Sequence, residues 1–367
     1  MLFKIENCYP ADYEMDNRKL LAISNLLVSN GLKKNIVIAE KSALTDILES
    51  SIYGVLDKKY ATEMLSLRRE YGVLPEKLLL HLIIDFNYEG VSCEYVEGKH
   101  RVRVSYSYFC DPDNTGPVAL LTENSLDFRF YNKIALYYAS YIEKLGIKIN
   151  FREYLGAGSH SKSEFDRLSQ LNKIVLCLVD SDKSHPRKGE GSTSRIFSQQ
   201  DRTVNGITLS KVIDVREVES ILPIENIENV IIGSMPDSMI TTIDEIKSYN
   251  QVNNEFRKYF DHKNGLSLKK AIELDNQHGE FWLDILSTSS KFSNLQCFID
   301  KQCHECDSCP SISGFGDSLL ERVTVQLERI HLRNLTISED IKPSWMSIGE
   351  LLMSWGCSMK GRLARAS

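Results

Sequence analysis

Short apolar runs alternate with amphipathic stretches along the middle of this chain. Strand-like runs cover residues 118–121, 147–154, 174–179 and 204–214, and of these 118–121 and 174–179 are apolar throughout. The stretches with helical spacing cover residues 127–145 and 161–172. Short apolar runs without helical periodicity are typical of strands that are buried on both faces. Because strands and helices alternate, the pattern predicts an α/β fold with a parallel sheet flanked by helices.

The regions on either side carry mainly helical patterns. Towards the N-terminus, helices are predicted at residues 17–29, 43–55 and 65–86, and strands at 35–39 and 100–109. A cluster of turn residues at 111–117 marks a domain boundary, and the chain beyond Ser234 again has helical spacing. We therefore expect a helical or mixed region at 1–115, an α/β domain at 116–234 and a helical region at 235–367.

The composition is that of an ordinary globular protein. Hydrophobic residues make up 42% of the 367 positions, no apolar run approaches the length of a membrane span, and the N-terminus lacks a signal-peptide pattern. We therefore expect a cytoplasmic protein with no membrane partner and with its nine cysteines reduced. The net charge of −6 gives no global attraction to nucleic acid, so such binding requires local basic patches.

Two carboxylates follow the third apolar run of the middle region. Asp180 and Asp182 stand where the strand at 174–179 ends, at the edge of a sheet where ligands usually bind. Two like charges this close repel each other unless a cation lies between them, and oxygen ligands suit Mg²⁺ or Mn²⁺. The alternative is a pair of aspartates that caps the following turn.

Further carboxylates occupy comparable positions. Glu123 directly follows the first predicted strand, and Asp127 begins the next helix. Strands of one parallel sheet all end on the same side, so Glu123 is expected near the aspartate pair. Glu217 and Glu219 flank Val218 after the last predicted strand. The alternatives are a helix N-cap for Asp127 and a solvated face for the two glutamates.

The order of these motifs resembles the TOPRIM domain of topoisomerases, primases and OLD-type nucleases. The resemblance is carried by VALLTENSLDFRFYNKIA, INFREYLGAG and KIVLCLVDSDK, and it covers about residues 118–223, roughly a third of the chain. The later segment 216–219 resembles the glutamate-bearing segment of OLD-like and related defence nucleases. TOPRIM sequences usually place Gly after the motif glutamate. Here Asn124 stands in its place, and Asn tolerates left-handed backbone.

The resemblance implies a Mg²⁺-dependent centre for phosphoryl transfer. It makes Glu123 an acid/base residue or a metal ligand, and Asp180 and Asp182 metal ligands. It makes Glu217 and Glu219 candidates for holding a second ion. The expected function is a nuclease that cleaves DNA or RNA, in bacterial antiphage defence beside a partner ATPase. The alternative from another class is a non-catalytic TOPRIM-like subunit that binds nucleic acid or protein.

Basic residues follow the aspartate pair. Lys183, Arg187 and Lys188 lie in a loop that is suited to hold the phosphate backbone of a nucleic acid beside the metal. Lys162, at the start of the preceding helix, is a further candidate for phosphate contact. The alternative is a flexible, solvated loop, because Gly, Ser and Thr are frequent in it.

Two competing motifs overlap this region. The segment 156–163 (GAGSHSKS) resembles a Walker A loop, but Ser161 replaces its second glycine and crowds the turn that cradles phosphates. Asp180 and Asp182 also resemble the Asp-x-Asp motif of haloacid-dehalogenase-like phosphatases, in which the first aspartate is the nucleophile. That motif normally opens its fold, whereas two βα units precede it here.

A cysteine cluster stands apart from the acidic residues. Cys297, Cys303, Cys306 and Cys309 lie within thirteen positions, with His304 among them. In a reducing compartment this spacing suggests a structural Zn²⁺ site that would stiffen the C-terminal region, with Cys297, His304 or His331 as its fourth ligand. The alternatives are a redox-active loop or thiols without a ligand.

Overall fold

The structure is a computed structural model that describes residues 1–144, 146–198, 203–204, 207–234, 238–304 and 308–360. The strands are β1 (Leu2–Glu6), β2 (Ile36–Ile38), β3 (Leu80–Asp85), β4 (Val91–Val96), β5 (Lys99–Ser105), β6 (Val118–Thr122), β7 (Ile147–Ile149), β8 (Phe151–Leu155), β9 (Val175–Val179), β10 (Thr203–Val204), β11 (Thr208–Val212), β12 (Gly265–Ser267), β13 (Ser311–Ser313) and β14 (Cys357–Met359).

The helices are α1 (Asn17–Gly31), α2 (Lys41–Glu49), α3 (Val55–Tyr71), α4 (Leu74–Lys77), α5 (Ser125–Tyr137), α6 (Ser161–Gln170), α7 (Ser192–Ser198), α8 (Ile224–Ser234), α9 (Ser238–Val252), α10 (Phe256–Tyr259), α11 (Leu268–His278), α12 (Trp282–Leu286), α13 (Ser290–Ser293), α14 (Gln296–Ile299), α15 (Leu319–Arg329) and α16 (Lys342–Gly356). Among the described helices, none is both long enough and apolar enough to cross a membrane.

The chain divides into two compact units. The first unit comprises Met1–Cys177, Asp201–Lys211 and Ser347–Ser367, and the second comprises Leu178–Gln200 and Val212–Met346. These units do not coincide with the three predicted segments, since the first unit contains the N-terminal region and most of the α/β region. The division falls inside β9, β11 and α16.

The N-terminal region of the first unit contains a five-stranded sheet in the order β2-β1-β3-β5-β4. Its strands are parallel except β4, which runs antiparallel to β5. Of the two alternatives predicted for residues 1–115, helical or mixed, the structure is the mixed one. The last part of the predicted helix at 65–86 is instead the strand β3, and all six residues of β3 are buried. A strand buried on both faces has no polar alternation, so periodicity does not distinguish it from a buried helix.

A second five-stranded sheet has the order β10-β11-β9-β6-β8. Strand β6 runs parallel to both β8 and β9, and every residue of β6 and β9 is buried. The predicted parallel sheet with flanking helices is confirmed. The first strand of this region, β6, lies between the second and the third, so the strand order reverses beside it.

Two predicted elements of this region are each divided in two. The expected strand at 147–154 is interrupted at Asn150, whose backbone N–H donates to the carbonyl of Gly356 at 2.8 Å. As a result β7 pairs with β14, whereas β8 pairs with β6. The expected strand at 204–214 forms the antiparallel pair β10 and β11.

The second unit is mainly helical, as expected for most of the C-terminal region. Its core contains an aromatic cluster in which Phe256 packs against Phe260 and Trp282, with ring centroids 5.1 and 5.6 Å apart. The indole N–H of Trp282 donates to the carbonyl of Ser184 at 2.9 Å. This bond connects the helical core to the loop that follows the aspartate pair.

The Asp275 side chain accepts hydrogen bonds from backbone N–H groups at the N-terminus of α12. Its carboxylate accepts hydrogen bonds from the backbone N–H groups of Phe281, Trp282 and Leu283 at 2.8–3.2 Å. These are donors that a helix leaves unpaired at its first turn, and here they are buried. Asp275 therefore replaces the water that these groups would otherwise bind.

We predict that Asp275→Ala lowers the free energy of unfolding by about 3 kcal/mol, because an unsatisfied buried donor costs about 1–3 kcal/mol. Chemical denaturation measures the change. The control is Asp284→Ala on the exposed face of the same helix, which should change it by less than about 0.5 kcal/mol. Equal effects of the two substitutions would contradict the assignment.

Candidate functional site

The turn formed by Asp180, Ser181 and Asp182 directly follows β9 and lies in the second unit. Its middle residue, Ser181, is buried, and its hydroxyl donates to the carbonyl of Val215 at 2.6 Å. The backbone N–H of Asp182 donates to the carbonyl of Arg216 at 2.9 Å. These bonds attach the turn to the segment that carries the two predicted glutamates.

The Asp182 carboxyl group lies among cationic side chains. The residue has a φ of 55°, a left-handed conformation that Asp tolerates better than most residues. Gly191 lies so close that a Cβ atom there would overlap the Asp182 side chain. Desolvation raises the pKa of the Asp182 carboxyl, and the charges of Arg216, Lys188 and Lys263 oppose this effect.

Glu217 and Glu219 lie at the start of a 3₁₀ turn, Val218–Ile221. Glu217 accepts a hydrogen bond from the backbone N–H of His262 at 2.9 Å. Glu219 is only 1% exposed, and its Oε1 lies 3.1 Å from Nζ of Lys263. Its Oε2 is buried and has no hydrogen-bond partner among the described residues. A buried polar atom without a partner costs free energy, which a cation or a water molecule would recover.

The Lys263 ammonium group interacts electrostatically with three of the predicted carboxylates. Burial lowers the pKa of its ammonium group, but the negative charges of Glu219, Glu217 and Asp180 outweigh burial and raise the pKa. The side chain is about one-third exposed, so the cluster is reached from solvent at this point. Asp180, Glu217, Glu219 and Lys263 therefore form one mixed-charge group, which we call the acidic cluster.

Glu217 is the member of the acidic cluster with the most altered protonation. Burial, followed by the charges of Glu219 and Asp261, raises its pKa from 4.5 to about 7. Arg216 and Lys263 act in the opposite direction. Arg216 is itself engaged by Asp261, with Nη2 and Oδ2 2.5 Å apart. A carboxyl group with this pKa exchanges its proton near neutral pH, as a general acid or base does.

The donor set of the acidic cluster fits a hard divalent cation, because carboxylate oxygens are the ligands that Mg²⁺ prefers and one of them is unsatisfied. The side chains as placed do not complete a site. Within the residues that the structure describes, no three His, Cys, Asp or Glu side chains are grouped to hold a metal ion. The Lys263 ammonium supplies the positive charge beside Glu219. An ion bound there would have to displace it.

Glu123 lies in the first unit, at the residue after β6. Its backbone carbonyl accepts a hydrogen bond from the N–H of Ala157 at 3.0 Å. Ala157 and Gly158 have positive φ angles of 46° and 64°, and a Cβ atom at Gly158 would lie 3.6 Å from Oε1 of Glu123. The tight turn at Ala157 and Gly158, which follows β8, therefore lies against the Glu123 carboxylate.

Asn124 does not use left-handed backbone, contrary to the expectation. Its φ is −143°, which is extended. The side-chain oxygen accepts hydrogen bonds from the N–H groups of Leu126 and Asp127 at 2.8 and 3.0 Å, and the Asp127 carboxylate accepts one from Asn124 N–H at 3.2 Å. This is a capping box. Asn124 is therefore the N-cap of α5, and Asp127 is the third residue of that helix.

The predicted basic loop lies in the second unit, close to the aspartate turn. Lys188 contributes positive charge at Asp182, and the backbone N–H of Lys183 donates to the Ser181 hydroxyl at 3.3 Å. Arg187 is exposed. The loop is thus attached at its start and carries basic side chains near one of the aspartates.

Lys162 differs from these three residues. It lies in the first unit and forms an ion pair with Asp166, four residues further along α6. The pair keeps its ammonium group on its own helix. Neither phosphate contact nor the Walker A alternative receives support from this arrangement.

The predicted cysteine ligands also lie in the second unit. Cys297 belongs to α14, and Cys303 and Cys309 lie in the loop that follows it. Cys306 lies outside the described residues. The described cysteines are free thiols.

The pattern of the chain did not identify Lys263, nor the pair of Arg216 and Asp261, as parts of the site. The available signal was the polar triplet 261–263 (Asp-His-Lys) directly after the apolar Tyr259 and Phe260. Charges at the end of an apolar segment are common, so this signal does not distinguish a functional lysine from a solvated one.

Comparisons with known proteins do not assign the chain to a family. No protein-family model, no curated protein and no solved structure matches it. The resemblance to TOPRIM domains therefore rests on the motifs of the chain itself.

We predict that the metal-free protein loses stability as pH rises from 4.5 to about 7, because the raised pKa of Glu217 favours the folded state only while this carboxyl is protonated. The shift corresponds to on the order of 3 kcal/mol. Glu217→Gln should flatten this part of the pH profile of unfolding, measured in EDTA. The exposed Glu225→Gln is the control, and an unchanged profile for Glu217→Gln would contradict the prediction.

Proposed function

We propose that this protein is a Mg²⁺-dependent nuclease, with Mn²⁺ as an alternative ion, whose metal is held by Asp180, Asp182 and Glu219. The observation that carries the proposal is that Oε2 of the buried Glu219, within the acidic cluster, has no hydrogen-bond partner in the part of the chain that the structure describes. Buried carboxylates with an unmet partner are characteristic of binding sites. The motif order that resembles TOPRIM domains supplies the reaction class, phosphodiester hydrolysis.

The carboxylates of the acidic cluster and the neighbouring Asp182 would have different tasks. Asp180, Asp182 and Glu219 would hold the ion, which when bound activates water and stabilises charge on the phosphate. Glu217, with a pKa of about 7, is suited to accept or donate a proton, or to hold a second ion. For Glu123, an acid/base or ligand role rests on the resemblance alone.

The substrate would be a nucleic acid bound through its phosphates. Lys188, Lys183 and Arg187 lie in the loop after the aspartate turn, and basic side chains there would neutralise the backbone irrespective of sequence. Lys162 would contact a phosphate only after its ion pair with Asp166 is broken. A role in antiphage defence in the cytoplasm, beside a partner ATPase, follows from the resemblance and is part of the proposal.

A second candidate function is a non-catalytic subunit that binds nucleic acid or protein. One observation favours it. Lys263 already compensates Glu219, and within the described residues no group is arranged to hold a metal. Such a subunit would keep its binding after the carboxylates are removed, whereas a nuclease would lose cleavage.

To test the nuclease, the protein is incubated with plasmid DNA and with tRNA in Mg²⁺, Mn²⁺ or EDTA. We expect cleavage that requires the metal and that falls to the EDTA level in Asp180→Asn and Glu219→Gln, because each removes a ligand charge. Asp214→Asn is the matched control, since this carboxylate lies nearby in the chain but is 80% exposed. It should cleave as the unsubstituted protein does.

Two results would count against the nuclease. One is cleavage that survives both Asp180→Asn and Glu219→Gln. The other is retention of nucleic-acid binding by these variants with no cleavage by any form, which supports the non-catalytic subunit. A coupled phosphatase assay on the same samples covers the Asp-x-Asp alternative.

The Lys263 ammonium should compete with a metal ion. We predict that Lys263→Gln, which keeps a donor for Glu219 but removes the charge, strengthens Mn²⁺ binding about tenfold, or about 1.4 kcal/mol. A unit charge about 4 Å away in such surroundings amounts to about 4 kcal/mol, so this estimate is conservative. Isothermal titration calorimetry measures the affinity.

Lys270→Gln provides the control for this measurement, because Lys270 is 55% exposed and pairs with Glu273. Its effect on Mn²⁺ affinity should be small. Weaker Mn²⁺ binding by Lys263→Gln would show that the ammonium supports the ion and does not compete with it.

A further inference from the structure

A cavity of about 240 Å³ in the second unit is lined by thiols. Cys297, Cys303 and Cys309 all contribute to its wall, together with His304. The remaining wall comes from the start of α11, from residues beside Cys297 and from the loop before β13. Residues six positions apart along the chain are thus brought to one small volume, which the acidic cluster does not share.

Two of these thiols receive backbone hydrogen bonds. The N–H of His304 donates to Sγ of Cys297 at 3.3 Å, and the N–H of Lys269 donates to Sγ of Cys309 at 3.3 Å. These bonds hold two sulfur atoms, the atoms through which cysteine binds zinc, at the wall of the cavity. Lys269 also lines the cavity.

The His304 ring is held by a carboxylate. Its Nε2 lies 2.8 Å from Oδ2 of Asp300, four residues earlier. An imidazole that donates through Nε2 presents the lone pair of Nδ1. Histidines that bind metals characteristically donate their other nitrogen to a carboxylate in this way. Asp300 would therefore orient His304 towards a metal.

The segment around these ligands buries little of its own surface. Helix α14 has four residues, and no described residue in 294–304 or 308–310 is buried. Short segments without a core of their own commonly depend on a structural metal.

We propose that the second unit binds one structural Zn²⁺ through the thiolates of Cys297, Cys303 and Cys309 and Nδ1 of His304. Three thiolates and one imidazole are a usual tetrahedral set for structural zinc. In the described part of the chain these side chains line one cavity but are not grouped closely enough to hold a metal ion, so that binding would require them to move together. Cys306 lies outside the described residues and is not needed for this set.

The test uses the full-length protein, freed of metal under reducing conditions. We expect one Zn²⁺ per chain by elemental analysis after titration, and Co²⁺ should give the intense thiolate charge-transfer absorption of a tetrahedral site. Cys303→Ser and Cys309→Ser should abolish that absorption. Asp300→Asn should weaken Zn²⁺ binding about 10–100-fold, the usual effect of removing a residue that orients a ligand.

The controls are Cys93→Ser, which removes an exposed thiol of the first unit, and Cys306→Ser. Both should keep the absorption. Absence of the charge-transfer band in the unsubstituted protein would overturn the proposal, and this result does not depend on any variant folding. Loss of zinc in Cys306→Ser, with retention in His304→Ala, would overturn the ligand set. Because zinc content is measured without nuclease activity, failure of the proposed function would leave this test intact.

Discussion

The burial of Glu219 is the constraint on which the acidic cluster depends. Removing a carboxylate from water costs several kcal/mol unless charges and hydrogen bonds replace its solvation. The Lys263 ammonium, 3.1 Å from Oε1 of Glu219, replaces part of this solvation. The other oxygen, Oε2, has no hydrogen-bond partner among the described residues. The same burial acts on Glu217, whose pKa rises because two carboxylates in poorly solvated surroundings do not both ionise easily. The ion pair between Lys263 and Glu219 and the raised pKa of Glu217 thus both follow from the burial of carboxylates.

The residue between the two aspartates positions them. Ser181 is buried and bonds to Val215 through both its hydroxyl and its N–H, while Asp182 bonds to the carbonyl of Arg216. The turn is therefore attached to the segment that carries Glu217 and Glu219 by hydrogen bonds that do not involve the carboxylates. The carboxylates can change their charge or their ligand without loss of these bonds. An acidic site needs such independence, because its members repel one another when ionised.

Local pattern predicted the elements that are apolar throughout and bordered by turns. Strands β6 and β9, each with five buried residues, are the clearest cases. The same pattern failed at β3, since a strand without alternation resembles a buried helix. It also predicted β7 and β8 as one strand. They are two strands because they pair with different partners, and the residues next to each other in the chain do not indicate which partner each one has. The predicted left-handed backbone at Asn124 was wrong for a related reason. Asn124 is extended because it is the N-cap of α5, and this role depends on the helix that follows.

The sequence by itself determined which groups were available: two aspartates at a strand end, two glutamates after a later strand and a run of cysteines. Only the tertiary structure decided that Lys263 meets Glu219, that one oxygen of Glu219 lacks a hydrogen-bond partner among the described residues, and that three of the cysteines share one cavity. The physical reason is that backbone periodicity is set by near neighbours in the chain. Coulomb interactions and desolvation depend on distances in space, which exist only after the helices and strands have packed.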